Sequence, residues 1–316
     1  MPWLCGGNSV DRRVQFLQGE PMSDIKLFRV STKSVQELLG QSAAVEKSLQ
    51  ALTEKHLEAF FGIKFLAAEY DTGPVHGGRI DSLGIDENGC PVIIEYKRAL
   101  NENVINQGLF YLDWLLDHKA QFKLLVMEKL GKQVSDGIEW GTPRLLCIAG
   151  DFTKYDGHAV QQINRDIELI RYRRYGNDLI LFELVNATTA QVKGGHGKHK
   201  EVVESLEVAS QQLRDRYEAL KSFLLALGDD VQMKTLKYYF AFKRIRNCAC
   251  VEIHHQSEEI VVFLKIDPDS VELEKGFTKD VRNVGHYGTG ELEVTVRSDE
   301  DMKKAEPLLV KSYEAS

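Results

Sequence analysis

No stretch of these 316 residues is apolar for long enough to cross a bilayer. The best candidates, 91–94 and 223–227, fall far short of the ~18 residues a spanning helix needs and are flanked by charge. Cysteine is scarce. Five are scattered at Cys5, Cys90, Cys147, Cys248 and Cys250 with no CxxC pair, which argues against a zinc or redox motif and for free thiols in a reducing compartment. The first 21 residues lack the apolar core of a signal peptide and are expected to be a loose leader, with Met1 or Met22 as the start. A basic surplus is missing too: 40 Lys+Arg against 47 Asp+Glu leave a net charge of -7, so strong non-specific binding of polyanions is not expected. Together these absences predict a soluble, cytoplasmic protein with no membrane partner.

What is present is a folding composition, 43% hydrophobic and 28% charged, in a chain long enough for about two domains. The clearest seam is 192–200, VKGGHGKHK, which reads as a flexible linker. It divides a first domain, 22–191, from a second, 201–316. The charge is uneven: residues 1–200 hold 24 Lys+Arg and 25 Asp+Glu, and the remainder 16 and 22.

Within 22–191, helical spacing covers 35–61, with Gly40 as a break. Strands are expected at 64–70, 79–85, 91–97, 122–128, 144–149 and 179–185, and helices at 102–118, capped by Asn101, and at 158–168. Strands mixed with flanking helices make an α/β domain. The second domain reads as a smaller α+β unit: helices at 205–227, 231–242 and 298–313, and strands at 249–254, 259–265 and 291–296.

The most informative stretch is 77–111, GGRIDSLGIDENGCPVIIEYKRALNENVINQGLFY. A three-residue loop of Glu87-Asn88-Gly89, with glycine at the left-handed position, makes paired residue numbers sum to 176. Asp81 then faces Glu95, and Lys97 projects from the same face. Glu95 also interrupts an apolar strand, where a charge is unfavourable without compensation. Two carboxylates so placed suit a hard cation such as magnesium. The same three residues on an exposed hairpin would be a solvated salt-bridge cluster, and a two-residue loop would break the pairing.

Asp81, then Glu95-Tyr96-Lys97 after a hydrophobic strand, then a helix bearing Gln107 and Tyr111, resembles the core of the PD-(D/E)XK nuclease superfamily. GGRID followed by VIIEYKR and the glutamine-bearing helix resembles in particular the NucS-type endonucleases. Here Ile80-Asp81 stands where the superfamily's name has Pro-Asp. The whole chain, including VRNVGHYGTG at 281–290, also resembles a bacterial group labelled "predicted transport protein".

The nuclease resemblance spans about residues 35–130 and implies a restriction-endonuclease-like mixed sheet flanked by helices, with the C-terminal domain as an accessory. It implies a magnesium-dependent endonuclease acting on DNA, with manganese as a substitute metal, in repair or in defence against foreign DNA, and it admits a homodimer. Asp81, Glu95 and the Tyr96 backbone carbonyl would hold the metal. Lys97 would stabilise developing charge, Gln107 and Tyr111 would position water or backbone, and Tyr111 would also contact nucleic acid. Glu46 resembles the helical acid that many such enzymes add, with Glu58 as its competitor. Arg79 either contacts phosphate or pairs with Glu69. A non-catalytic nucleic-acid-binding or protein-interaction module on the same fold is the alternative, and the accessory domain could bind a protein or a small ligand.

Weaker signals lie outside this stretch. Arg171-Tyr172-Arg173-Arg174-Tyr175 is either a backbone-and-base surface for DNA, through Arg171, Arg173 and Arg174, or a charged strand edge. The run 243–246, KRIR, could serve likewise. GHYGTG at 285–290 is either a phosphate cradle or a structural turn. The adjacent His254 and His255 point to opposite faces of a strand and read as structural.

Overall fold

The computed structural model describes residues 25–41, 46–97, 104–189 and 201–316, and Glu46 without its side chain. The expected leader, the Asn101 cap and the 192–200 linker lie outside the described residues. Two compact units divide the chain at residue 39. The described part of the first is a hairpin of β1 (Leu27–Val30) and β2 (Val35–Leu38), with Val30 opposite Val35. Residues 35–38 are therefore strand, not the start of a helix. A turn closes immediately before them, where the Ser31 N–H donates to the Ser34 carbonyl at 2.9 Å and the Ser31 hydroxyl takes the Ser34 N–H.

The second unit opens with β3 (Gly40–Gln41), α1 (Glu46–Lys55) and α2 (Leu57–Phe61). β4 (Ile63–Asp71) follows, then a single turn, α3 (Gly73–His76), and the antiparallel arms β5 (Arg79–Asp86) and β6 (Pro91–Lys97). The helices α4 (Val104–Asp117), α5 (Lys119–Leu130) and α6 (Lys132–Asp136) lead to β7 (Arg144–Ala149), α7 (Lys154–Gln161), β8 (Asp166–Tyr175) and β9 (Leu179–Thr188). The strands form one mixed sheet in the order β3-β8-β7-β6-β5-β4, with β9 also on β8. β6, β7 and β8 run parallel, and the remaining pairings are antiparallel.

Helices flank both faces, as expected of the mixed α/β class. Leu83, Ile85, Ile93, Leu145 and Cys147 pack with α4 and α5 on one side. Val92, Ile94, Tyr96, Leu146 and Ile148 pack with α1 and α2 on the other. Alternating residues on a strand serve opposite faces, and these central strands are apolar on both.

The C-terminal part carries α8 (Glu201–Val208), α9 (Gln211–Ala226), β10 (Gln232–Thr235), β11 (Phe240–Lys243), β12 (Asn247–His254), β13 (Glu259–Leu264), β14 (Thr278–Asp280), β15 (Leu292–Val296) and α10 (Asp299–Glu314). Its antiparallel sheet runs β10-β11-β12-β13-β15-β14, with the helices over an apolar core on one face.

Three expected elements are of the other type, and two helices have shifted bounds. Residues 122–128 belong to the helix α5, because Phe122 and Val126, four apart, are its buried pair. Residues 231–242 are not helix but the strands β10 and β11, paired Gln232 to Lys243 and Thr235 to Phe240. The helix read at 158–168 is α7, which starts at a capping box of Thr153 and Asp156 and ends at Gln161; residue 166 already opens β8. The long helix at 205–227 is two, because Ser210 caps α9 through the Leu213 N–H. Among the described residues no helix is long and apolar enough to cross a membrane.

Candidate metal site at the open end of a hairpin

The β5–β6 hairpin has the register expected from its loop. Ser82 lies opposite Ile94 and Ile85 opposite Pro91, all summing to 176. The turn is closed by the Asp86 N–H on the Cys90 carbonyl at 2.9 Å, with Gly89 at φ 76°. The Asp86 side chain completes it, accepting the N–H groups of Asn88 and Cys90 at 2.9 and 2.8 Å. An Asp so placed favours a tight turn by satisfying the turn's own amides.

At the far end the ladder stops and side chains take over the backbone groups. The Asp81 N–H donates to Glu95 Oε1 at 3.3 Å, and the Tyr96 N–H donates to Asp81 Oδ2 at 3.0 Å. Asp81 and Glu95 thus meet across the arms, each tied to the opposite strand. Glu95 is 0% exposed, and its Oε2 is buried with no hydrogen-bond partner among the described residues. Burial, reinforced by the Asp81 carboxylate, pushes its pKa up to about 9; the nearby Lys97 charge pulls the other way. Lys97 itself is partly exposed.

A buried carboxylate oxygen without a donor is an unfavourable feature unless something positive meets it. The donors present, two carboxylates and adjacent carbonyls, are hard oxygens of the kind magnesium takes one or two of, with water and phosphate completing its shell. The residues fit such an ion. Among the described residues no three His, Cys, Asp or Glu side chains converge, so a third side-chain ligand could come only from a side chain not described. Glu46 is one, and it lies outside the described side chains. Glu58 lies on α2 and lines a groove at the hairpin's apex, so it is not a ligand of this site.

Beside Asp81 opens a cleft of about 860 Å³ lined by Glu69, Asp71, Gly78, Arg79, Asp81, Gln107 and Tyr111, among others. Arg79 pairs with Glu69 at 3.4 Å, both substantially exposed. This is one of its two expected roles, and an exposed pair is weak enough to exchange for a ligand. Gln107 and Tyr111 do share one face of α4. Tyr111 is buried, however, and its hydroxyl accepts the Arg79 N–H at 3.2 Å and the Gln107 amide at 3.3 Å. It positions backbone, at the wall of the cleft. Gly78 permits this approach, since a Cβ there would lie 2.7 Å from the Tyr111 ring.

The sequence pattern missed Gln50 and Glu54, which reach the hairpin from α1. Gln50 Nε2 donates to the Asp81 carbonyl at 2.9 Å and to Glu54 Oε1 at 3.0 Å. Glu54 Oε1 also accepts the Ser82 hydroxyl at 2.6 Å. The sequence offered only their spacing, since residues four apart share a helix face; the burial of Gln50 and Thr53 beside Leu49 appears only in the fold.

The other expected nucleic-acid contacts are partly overturned. Arg171 is 2% exposed and committed to Asp151 at 3.1 Å and Glu183 at 2.8 Å; its strand is interior, bonded on both sides, not an edge. Arg173, held by Asp151 at 3.5 Å, and Arg174 remain partly exposed. Lys243 is buried too. In the GHYGTG run, a Cβ at Gly288 would meet Cys250 at 2.6 Å and the Thr289 N–H donates to Cys250 Sγ, which is the packing of a structural turn.

Comparison with known proteins gives partial similarity. The family described as "Domain of unknown function (DUF5655)" matches residues 203–316. A Haemophilus influenzae protein bearing the name "Uncharacterized protein" is 29% identical over 290 residues, spanning 87% of this chain and 94% of that protein. Two solved structures are similar at 19% identity. One, described as "crystal structure of a repair endonuclease from Pyrococcus abyssi", has a TM-score of 0.28 and covers 43% of this chain and 50% of that one. The other, "Structure of EndoMS-dsDNA2 complex", has a TM-score of 0.24 and covers 42% and 47%. The chain spans about half the length of each.

Proposed function

We propose that the protein is a magnesium-dependent endonuclease that hydrolyses DNA phosphodiester bonds at the Asp81–Glu95 site. The observation that carries this is Glu95 itself: fully buried, with an oxygen that has no partner among the described residues, facing a second carboxylate beside a cleft open to solvent. Asp81, Glu95 and the Tyr96 carbonyl would hold the ion. Once bound, magnesium supplies Lewis-acid polarisation of the phosphate and an activated water.

The chain's own residues do the rest. Lys97, next along the strand face from Glu95, offers a positive charge where negative charge develops on the phosphate. Gln107 donates to Tyr111, and Tyr111 holds the Arg79 amide, so one face of α4 sets the rim of the cleft. Arg79 exchanges Glu69 for a phosphate, and Arg173 and Arg174 extend the cationic track along the backbone.

The test is a cleavage panel of single-stranded, duplex, mismatched and branched DNA and RNA with magnesium or manganese. Asp81→Ala and Lys97→Ala should each lower cleavage by about a thousandfold or more while circular dichroism and melting stay near wild type. Cleavage that survives both substitutions rules the site out. The convergence of only two acids among the described side chains favours a second reading, a non-catalytic nucleic-acid-binding or interaction module. Calorimetry separates the two: magnesium binding that vanishes in Asp81→Asn belongs to the enzyme.

A further inference from the structure

The chemistry at Asp81 and Glu95 needs the two arms of one hairpin to hold a fixed separation. The apex joining those arms is gripped from the C-terminal sheet directly at Glu87 and Asn88, and at Asp86 through a relay of buried charges. Asn88 Oδ1 accepts Asn247 Nδ2 at 2.7 Å and the Tyr239 hydroxyl at 3.0 Å, and Asn88 Nδ2 donates to Asn247 Oδ1 at 3.2 Å. Glu87 accepts the Asn247 backbone N–H and pairs with Lys265 at 3.5 Å. Asp86 Oδ2 takes Arg144 at 2.7 Å; Arg144 forks onto Glu168 at 2.9 Å, and Glu168 takes Lys243 of β11 at 2.9 Å. Asn247 also reaches the Thr289 hydroxyl at 3.2 Å, which ties in the GHYGTG turn.

We infer that the C-terminal sheet is a working part of the site, with Asn247 and Lys243 as positioning residues that set the separation of Asp81 and Glu95 through the hairpin apex. The catalytic half of this inference rests on the proposed function. Apolar faces on both arms already forbid a one-residue slip. They leave the splay of the arms open, and it is by splay that residues 81 and 95 part at the open end. Asp86, Asn88, Arg144 and Glu168 are all buried, and each takes partners from across the junction directly or through one or two intermediaries. Removing a partner leaves a buried polar or charged group unmatched, and the apex relieves this by moving toward water. The arms then carry the displacement over five residues, about 16 Å at the rise of a strand. Small misplacements of reacting groups are enough to lower a rate sharply.

The experiment uses the full chain. Asn247→Ala, Lys243→Met and Lys243→Arg are compared for amide hydrogen exchange at Asp81 and Tyr96, and for kcat and KM of magnesium-dependent DNA cleavage. Asn247→Ala and Lys243→Met should speed exchange at both amides, and lower kcat, by about tenfold or more, with KM within about twofold. Lys243→Arg, which keeps the charge, should restore kcat to within about threefold. Unchanged exchange in β12 and β13 certifies the fold. If either protein fails to fold, Tyr239→Phe removes a single bond to Asn88 and should give changes of about threefold. The inference is overturned if the Asn88 and Cys90 amides loosen while Asp81, Tyr96 and kcat keep wild-type values. Should the wild type cleave no nucleic acid, the nuclease reading falls on its own, and exchange at Asp81 and Tyr96 still decides the brace.

Discussion

Glu95 has two comfortable states, a neutral acid or the partner of a cation. With a folded pKa of about 9 against an ordinary 4.5, the folded protein holds a proton between those values that the unfolded chain does not. Its contribution to stability is therefore full below pH 4.5 and lost as pH rises toward 9. Metal-free wild type should lose stability over that window, and Glu95→Gln should be flatter by roughly 1–3 kcal/mol at pH 8. Magnesium should raise the melting temperature of the wild type and not of the variant; differential scanning fluorimetry with and without EDTA reads both. At Gly78 the prediction is steric. Ala there must displace Tyr111, and cleavage should fall by about 10- to 100-fold, with the loss mainly in kcat.

At the scale of elements, the hairpin was readable because its information is local. Asp86 opens a three-residue turn that Gly89 completes, and alternation does the rest. Gly89→Ala forces a side chain to φ 76° and within 2.9 Å of the Gly137 carbonyl. It should destabilise the protein by about 1–2 kcal/mol in urea unfolding. Two of the elements misread from sequence share one cause. Residues 122–128 and 231–242 are short, mixed in polarity and carry few β-branched residues, so either period fits them, and packing decides. Lys234 shows this: within a strand its ammonium reaches the buried Asp166, a partner 68 positions away that no local pattern announces. Arg171 was misjudged for the same reason, since its partners Asp151 and Glu183 come from a loop and a neighbouring strand.

For the whole molecule the consequence is a junction built from charge. Arg144, Lys234 and Lys243 meet Asp86, Asp166 and Glu168 with almost no exposure. Burial alone would raise the pKa of Glu168, yet Arg144 and Lys243 overcome it and hold it down to about 2. Its stabilisation is present above the ordinary 4.5 and is lost as pH falls from there toward 2. Acid unfolding should therefore begin at the junction below about pH 4.5, and Glu168→Gln should lower stability at pH 7 while flattening that limb, by chemical unfolding across the range. A fragment of residues 22–191 takes Asn247 and Tyr239 from Asn88, Lys234 from Asp166 and Lys243 from Glu168, and should melt at least about 10 °C below the full chain, if it folds.

What the chain determined locally is the hairpin, its register, the convergence of Asp81 with Glu95, and the mixed α/β class. The first three follow from turn chemistry and two-residue alternation within a window of about twenty residues, and the class from the succession of strand and helix periods along the domain. Only the tertiary structure decided that Tyr111 supports backbone, that Gln50 and Glu54 reach the strand from α1, that Arg171 is a buried ion-pair partner, and that the C-terminal sheet grips the hairpin apex. These outcomes depend on burial and on partners far apart in sequence, and the charge of a side chain does not say which face of a neighbouring element will meet it.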